Sequence, residues 1–186
     1  SELIDIVIMT FAVGYIFLES IRVPRENYEP LNYIRRFDWK QLFISALIVS
    51  PGIILHELAH KFVAMGFGLN ASFNAAYPFL AIGILMKLIG LGFIFFVPAY
   101  VSIQGSATYL ESALTSIAGP LANLILWVIC WGLLRTKFIN KRYKKLIPAL
   151  IVAKKINMLL FVFNILPIPG FDGYHFLVEI VNWIRI

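Results

Sequence analysis

Charge is scarce in this chain: 14% of its 186 residues are Asp, Glu, Lys or Arg, while 60% are hydrophobic and the mean hydropathy is +0.84. Soluble domains carry roughly 25% charged residues. Composition therefore excludes an ordinary soluble domain and indicates an integral membrane protein. Cysteine is almost missing. The single Cys130 excludes an internal disulfide, and its place between Trp127 and Trp131 marks a small buried hydrophobe rather than a reactive thiol. Histidine is rare too, at three residues, His56, His60 and His175. Acids are outnumbered by bases, giving a net charge of +6. The bases sit in short segments beside apolar stretches, as membrane proteins set their orientation, so no nucleic-acid partner is expected. No repeat, low-complexity tract or appended soluble domain is visible. Glu2 and Asp5, not a basic region, precede the first apolar stretch, so no cleavable leader is expected.

What is abundant is apolar sequence of membrane-spanning length, at residues 3–18, 42–67, 79–101, 113–134 and 146–166. A last run, residues 174–186, is too short to span. The chain thus reads as all-α, a polytopic transmembrane helix bundle forming one membrane-embedded domain over residues 1–186. Residues 21–40 hold Arg22, Arg25, Arg35, Arg36 and Lys40, with Pro24 and Pro30 marking turns; residues 135–145 hold six Lys or Arg and no acid.

Two spans carry residues that hydropathy does not expect. The second contains His56, Glu57, His60 and Lys61. The fifth contains Lys154 and Lys155, then breaks into Asn164-Ile-Leu-Pro167-Ile-Pro169-Gly170-Phe-Asp172-Gly173. Ionisable groups at membrane depth are costly and mark function. Irregular backbone there needs surrounding protein or a wet cavity. Both signals predict a polar site inside the bundle.

His56-Glu57-Leu58-Ala59-His60 is an H-E-x-x-H pattern. On a helix, positions i and i+4 share a face, so both imidazoles reach one ion. Neutral imidazole suits zinc, and a catalytic zinc takes three protein ligands and leaves one position open. Glu57, one residue round the helix, suits the general-base role toward the attacking water. A lone histidine on an apolar face is usually a satisfied core residue. Two at this spacing, with a glutamate between them, are hard to explain by packing. The expected cofactor is one Zn2+ per chain. Asp172 is the best candidate for a third ligand, although an aspartate there also suits capping of a helix beginning at Gly173.

Three stretches taken together resemble the site-2 protease family of intramembrane zinc metalloproteases. They are His56 to His60; Ala118-Gly119-Pro120-Leu121-Ala122-Asn123, similar to that family's A-G-P-x-x-N; and Asn157 followed by Asn164-x-x-Pro167-x-Pro169-x-x-Asp172-Gly173. The resemblance covers residues 42–177 and implies a three-helix catalytic core. It implies His56, His60 and Asp172 as zinc ligands, Glu57 as general base and Asn164 close to the unwound substrate strand. Gly119 and Pro120 would permit close helix packing. The implied substrate is a transmembrane segment of another protein, cut inside or beside the bilayer of the cell membrane. Residues 79–101, interrupted by Lys87, Gly90 and Gly92, are extra to that layout. A re-entrant hairpin turning near Gly90-Leu91-Gly92 preserves it, whereas a single crossing breaks it. Lys154 and Lys155 are a second departure, suited to a wet cavity or to snorkelling.

Competing readings are a prenyl-protein type membrane zinc endopeptidase, for which Glu179 is the candidate third ligand, and a non-catalytic membrane zinc-binding or transport protein. The second and third motifs disfavour the first. Glu57 and the absence of a run of ligands disfavour the second. His175 is chemically able to bind metal, but interfacial duty suits its position better.

Overall fold

The computed structural model describes residues 1–19, 21, 37–90 and 99–185. Among these, the chain forms helices α1 (Glu2–Ile16), α2 (Trp39–Gly66), α3 (Tyr77–Leu88), α4 (Tyr109–Arg135), α5 (Lys137–Arg142), α6 (Ile147–Asn164) and α7 (Asp172–Ile184). Two strands, β1 (Asn70–Ala75) and β2 (Ala99–Gln104), form an antiparallel ribbon. The bases and prolines expected to turn the chain between Arg22 and Arg36 lie outside the described residues.

Among the described residues, three stretches are long and apolar enough to cross a membrane: Trp39–Gly66, Tyr109–Arg135 and Lys144–Asn164. They match the second, fourth and fifth expected spans. The first expected span is the shorter α1, of 15 residues, about 22 Å at the helical rise. Polarity is inverted relative to a soluble domain. Leu47, Leu55, Ile125, Val128 and Ile129 face outward, while Ser45, Ser50, His56, Glu57, His60, Thr115, Asn123 and Asn157 are buried. With lipid as solvent, apolar exteriors cost nothing and polar side chains turn inward to find partners.

Helix order follows from these contacts. Gly14 of α1 lies against Ala46 of α2, so closely that a β-carbon at Gly14 would stand 2.7 Å from that of Ala46. Ser50 Oγ reaches the Thr10 carbonyl, and Lys61 pairs with Glu2. The two helices are therefore antiparallel. Glu2 also accepts the Phe73 N–H at 2.9 Å, so one carboxylate clasps α1, α2 and β1 together. Gly52 and His56 contact Asn123, and His60 contacts Thr115, which makes α4 antiparallel to α2. The same register carries the Lys40 end of α2 to the Arg135 end of α4, so these basic ends share one face. From that face α6 returns toward the ribbon end. The apolar core of Met9, Val13, Val49, Ile53, Phe73 and Leu80 lies between α1, α2, β1 and α3, with Val152, Ile156 and Leu160 of α6 packed against it.

Residues 79–101 do not form one crossing. Gly68, with φ of +79°, ends α2 in a left-handed turn whose next residue, Leu69, bonds back to the Ala64 carbonyl at 3.1 Å, and β1 follows. Helix α3 then descends along α1, tied to it by Tyr77 to Asp5 and by Lys87 to the Tyr15 carbonyl. The chain returns at Ala99, the register partner of Ala75. Both ends of the stretch lie at one level, as a re-entrant hairpin requires. The turn expected near Gly90-Leu91-Gly92 lies, beyond Gly90, outside the described residues. The ribbon itself is an addition to the all-α expectation: the first residues of β2, Ala99 to Val101, fall in the tail of the expected apolar span.

Candidate metal centre

Helix α2 brings His56, Glu57 and His60 into the interior, all buried. Their spacing puts both imidazoles on the face toward α4. Gly119 is what lets α4 come so near. A β-carbon there would stand 2.7 Å from His56 Nε2 and closer still to His60 Nε2.

The third group arrives from the far end of α6. After Asn164 the chain breaks at Pro167 and makes a turn through Ile168-Pro169-Gly170-Phe171, closed by the Phe171 N–H on the Ile168 carbonyl at 3.0 Å. Proline second and glycine third, with Gly170 at φ +97°, is the composition a type II turn requires. Helix α7 starts immediately afterwards, at Asp172. Gly173 packs onto the Ile165 backbone, where a β-carbon would stand 2.9 Å from Ile165 Cα and nearer to its carbonyl. Asp172 does not cap this helix: the N-cap position is Phe171, with no side-chain bond. Instead Asp172 Oδ2 lies 3.0 Å from His56 Nε2 and 3.3 Å from His60 Nε2.

The proton positions show what this cluster fits. His60 Nδ1 lies 2.7 Å from the Thr115 carbonyl, which can only accept, so Nδ1 carries the proton. His56 Nδ1 lies 2.6 Å from Asn123 Oδ1 and donates in the same way. In the neutral imidazoles that metal binding requires, both Nε2 atoms therefore present lone pairs, and they face each other at 3.2 Å. Asp172 Oδ2 is buried without a hydrogen-bond partner. Three electron-pair donors thus converge with no proton between them, which is repulsive unless a cation sits among them. Ligands of a tetrahedral zinc at 2.0–2.1 Å stand about 3.3 Å apart, and the three separations here are 3.0, 3.2 and 3.3 Å. The donor set and its spacing fit zinc.

Among the described residues, His56, His60 and Asp172 form the group able to hold a metal, and neither His175 nor Glu179 belongs to it. Glu57 lies beside the group, in electrostatic reach of His56, His60 and Asp172. Asn164 ends α6 with its amide bonded back to the Leu160 carbonyl at 3.0 Å, eight residues before Asp172. Lys154 and Lys155 line a groove of about 310 Å³ with Trp127, Met158, Leu159, Val162 and Phe163. The sequence alone gives no role to Asn123, Asn157 or the Thr115 carbonyl. Two buried asparagines in apolar spans were the available signal for the first two; a backbone acceptor leaves none.

No family model matches the chain, and no solved structure does. Curated relatives do. The chain is 34% identical over 173 residues to "Putative zinc metalloprotease MJ0611" of Methanocaldococcus jannaschii, covering 92% of this chain and 81% of that protein. It is 31% identical over 174 residues to "Putative zinc metalloprotease Rip2" of Mycolicibacterium smegmatis, covering 88% of this chain and 62% of the relative. Against "Putative zinc metalloprotease YwhC" of Bacillus subtilis it is 30% identical over 154 residues, 74% of this chain and 68% of that one. With helices fit to cross a membrane and a His, His, Asp cluster whose geometry suits zinc, the chain belongs to the family of zinc metalloproteases that these relatives represent.

Proposed function

We propose that this protein is an intramembrane zinc endopeptidase of the site-2 protease type, hydrolysing peptide bonds in or next to transmembrane segments of other proteins. The observation that carries the reading is the convergence of His56 Nε2, His60 Nε2 and Asp172 Oδ2 beside Glu57, inside helices of spanning length.

In this reading His56, His60 and Asp172 hold the metal. Zinc, when bound, supplies a Lewis acid that polarises the scissile carbonyl and acidifies the attacking water. Glu57 takes the water's proton on a carboxylate oxygen as the new C–O bond forms. It then delivers that proton to the amide nitrogen as the C–N bond breaks, leaving a carboxylate and an amine. Burial of Glu57 keeps bulk water from competing for that proton. Asn164, at the end of α6, is assigned to the substrate side, as a backbone partner for the unwound strand. The substrate must unwind, because a helix keeps its peptide carbonyls bonded internally.

The site would work within a multi-pass protein of the cell membrane. A zinc-dependent cleavage assay in proteoliposomes, using a single-span model substrate, tests the proposal. Cleavage within the span, lost on chelation and restored by zinc, is the expected result. Zinc binding without cleavage of any membrane substrate would instead support the non-catalytic reading.

A further inference from the structure

We propose that Asn157, on a helix that gives no ligand to the metal group, is a positioning residue that sets the tautomer and aim of His56 through Asn123. The inference rests on the metal-centre reading above.

Donors and acceptors alternate along one buried chain of hydrogen bonds. The Ala153 carbonyl only accepts, so Asn157 turns its NH2 toward it, at 2.8 Å. Asn157 Oδ1 is thereby aimed at α4. There it accepts from Asn123 Nδ2 at 2.9 Å, and the other Asn123 amide hydrogen goes to the Gly52 carbonyl at 3.0 Å. With both hydrogens used on pure acceptors, Asn123 has only Oδ1 left for His56, at 2.6 Å from Nδ1. The imidazole proton is therefore held on Nδ1, and Nε2 stays bare toward Asp172. If the Asn123 amide were reversed, its NH2 would face Nδ1 and the proton would move to Nε2, into the metal position.

The two histidines are held differently. His60 is fixed by a backbone carbonyl, that of Thr115, which cannot be reversed. His56 depends on side chains, and the second of them comes from α6. Two further features set this arrangement apart from incidental packing. Asn123 and Asn157 are both fully or nearly fully buried in apolar helices, which is unfavourable unless each polar group is paired. Gly52 leaves room for the junction, since a β-carbon there would stand 2.9 Å from Asn157 Oδ1.

The experiment uses the zinc-loaded full chain with histidine labelled with 15N, comparing wild type, Asn157→Leu and Asn157→Asp. Zinc affinity is read by chelator competition, and the Nδ1–H resonances of His56 and His60 by NMR. Asn157→Leu is expected to weaken zinc binding roughly 10- to 100-fold, the scale seen when outer partners of metal ligands are lost. It should displace the His56 signal and leave that of His60 in place. Asn157→Asp keeps an Oδ1 acceptor for the Asn123 amide and should recover most of the affinity. Zinc affinity within about twofold of wild type in Asn157→Leu, or equal displacement of both signals, would overturn the proposal. If Asn157→Leu does not fold, Asn157→Ser, whose hydroxyl is too short to reach Asn123, is read by the same criteria. Wild-type protein that binds no zinc would defeat the metal-centre reading itself, a result distinct from either outcome above.

Discussion

Gly119 stands so close to His56 that a single β-carbon at residue 119 would lie 2.7 Å from the imidazole Nε2. The glycine is therefore part of the metal centre, although it offers no ligand. Gly119→Ala should cost about 1–3 kcal/mol in overpacking. Expressed as zinc affinity, that is roughly a 5- to 150-fold loss. Chelator competition on the purified variant measures it; unchanged zinc affinity would mean that α4 does not close over the histidines as described.

The third ligand separates the competing protease classes. Asp172 Oδ2 touches both imidazole Nε2 atoms, whereas His175 and Glu179 stand outside the group. Asp172→Ala should therefore lose bound zinc and activity, while His175→Ala and Glu179→Ala keep most of both. Metal analysis of the three variants checks this. Loss of zinc in the Glu179 variant alone would move the assignment to the prenyl-protein type.

The re-entrant path expected of residues 79–101 is testable by side-specific labelling. In a Cys130→Ala background, cysteines at the exposed residues Asn70 and Ser106 should react with a membrane-impermeant reagent from one side, and a cysteine at Thr136 from the other. Antiparallel pairing of Asn70 with Gln104 predicts this pattern. Labelling of positions 70 and 106 from opposite sides would contradict it.

The parts of this molecule legible in the sequence are those with local signatures. His56 and His60 share a face by helical periodicity alone, and the spans of α2, α4 and α6 follow from apolar length. The Pro169-Gly170 turn that delivers Asp172 is also visible as composition. What stayed hidden depends on partners distant in sequence. The start of strand β2 merges with the apolar run before it, since its partner strand lies far back in the sequence: the Asn74 amide that donates to the Ser102 hydroxyl is 28 positions earlier. Lys61 is one of the ionisable residues that hydropathy does not expect in the second span, and its partner, Glu2, lies 59 residues earlier. Asn123 and Asn157 belonged to recognisable motifs, yet their purpose appears only when α2, α4 and α6 are brought together. Gly119 was legible as a close-packing residue, but not as the wall of the metal group.

Glu57 carries the central claim, because it separates a metal-binding membrane protein from a protease. The direct measurement pairs zinc content with turnover in Glu57→Gln, using the same proteoliposome assay for wild type and variant. The amide cannot take a proton from the attacking water, whereas His56, His60 and Asp172 are untouched. Zinc should remain at one per chain while turnover falls roughly 10²- to 10⁴-fold, the usual contribution of a general base. A Glu57→Gln protein that holds its zinc and cuts at close to the wild-type rate would contradict the account.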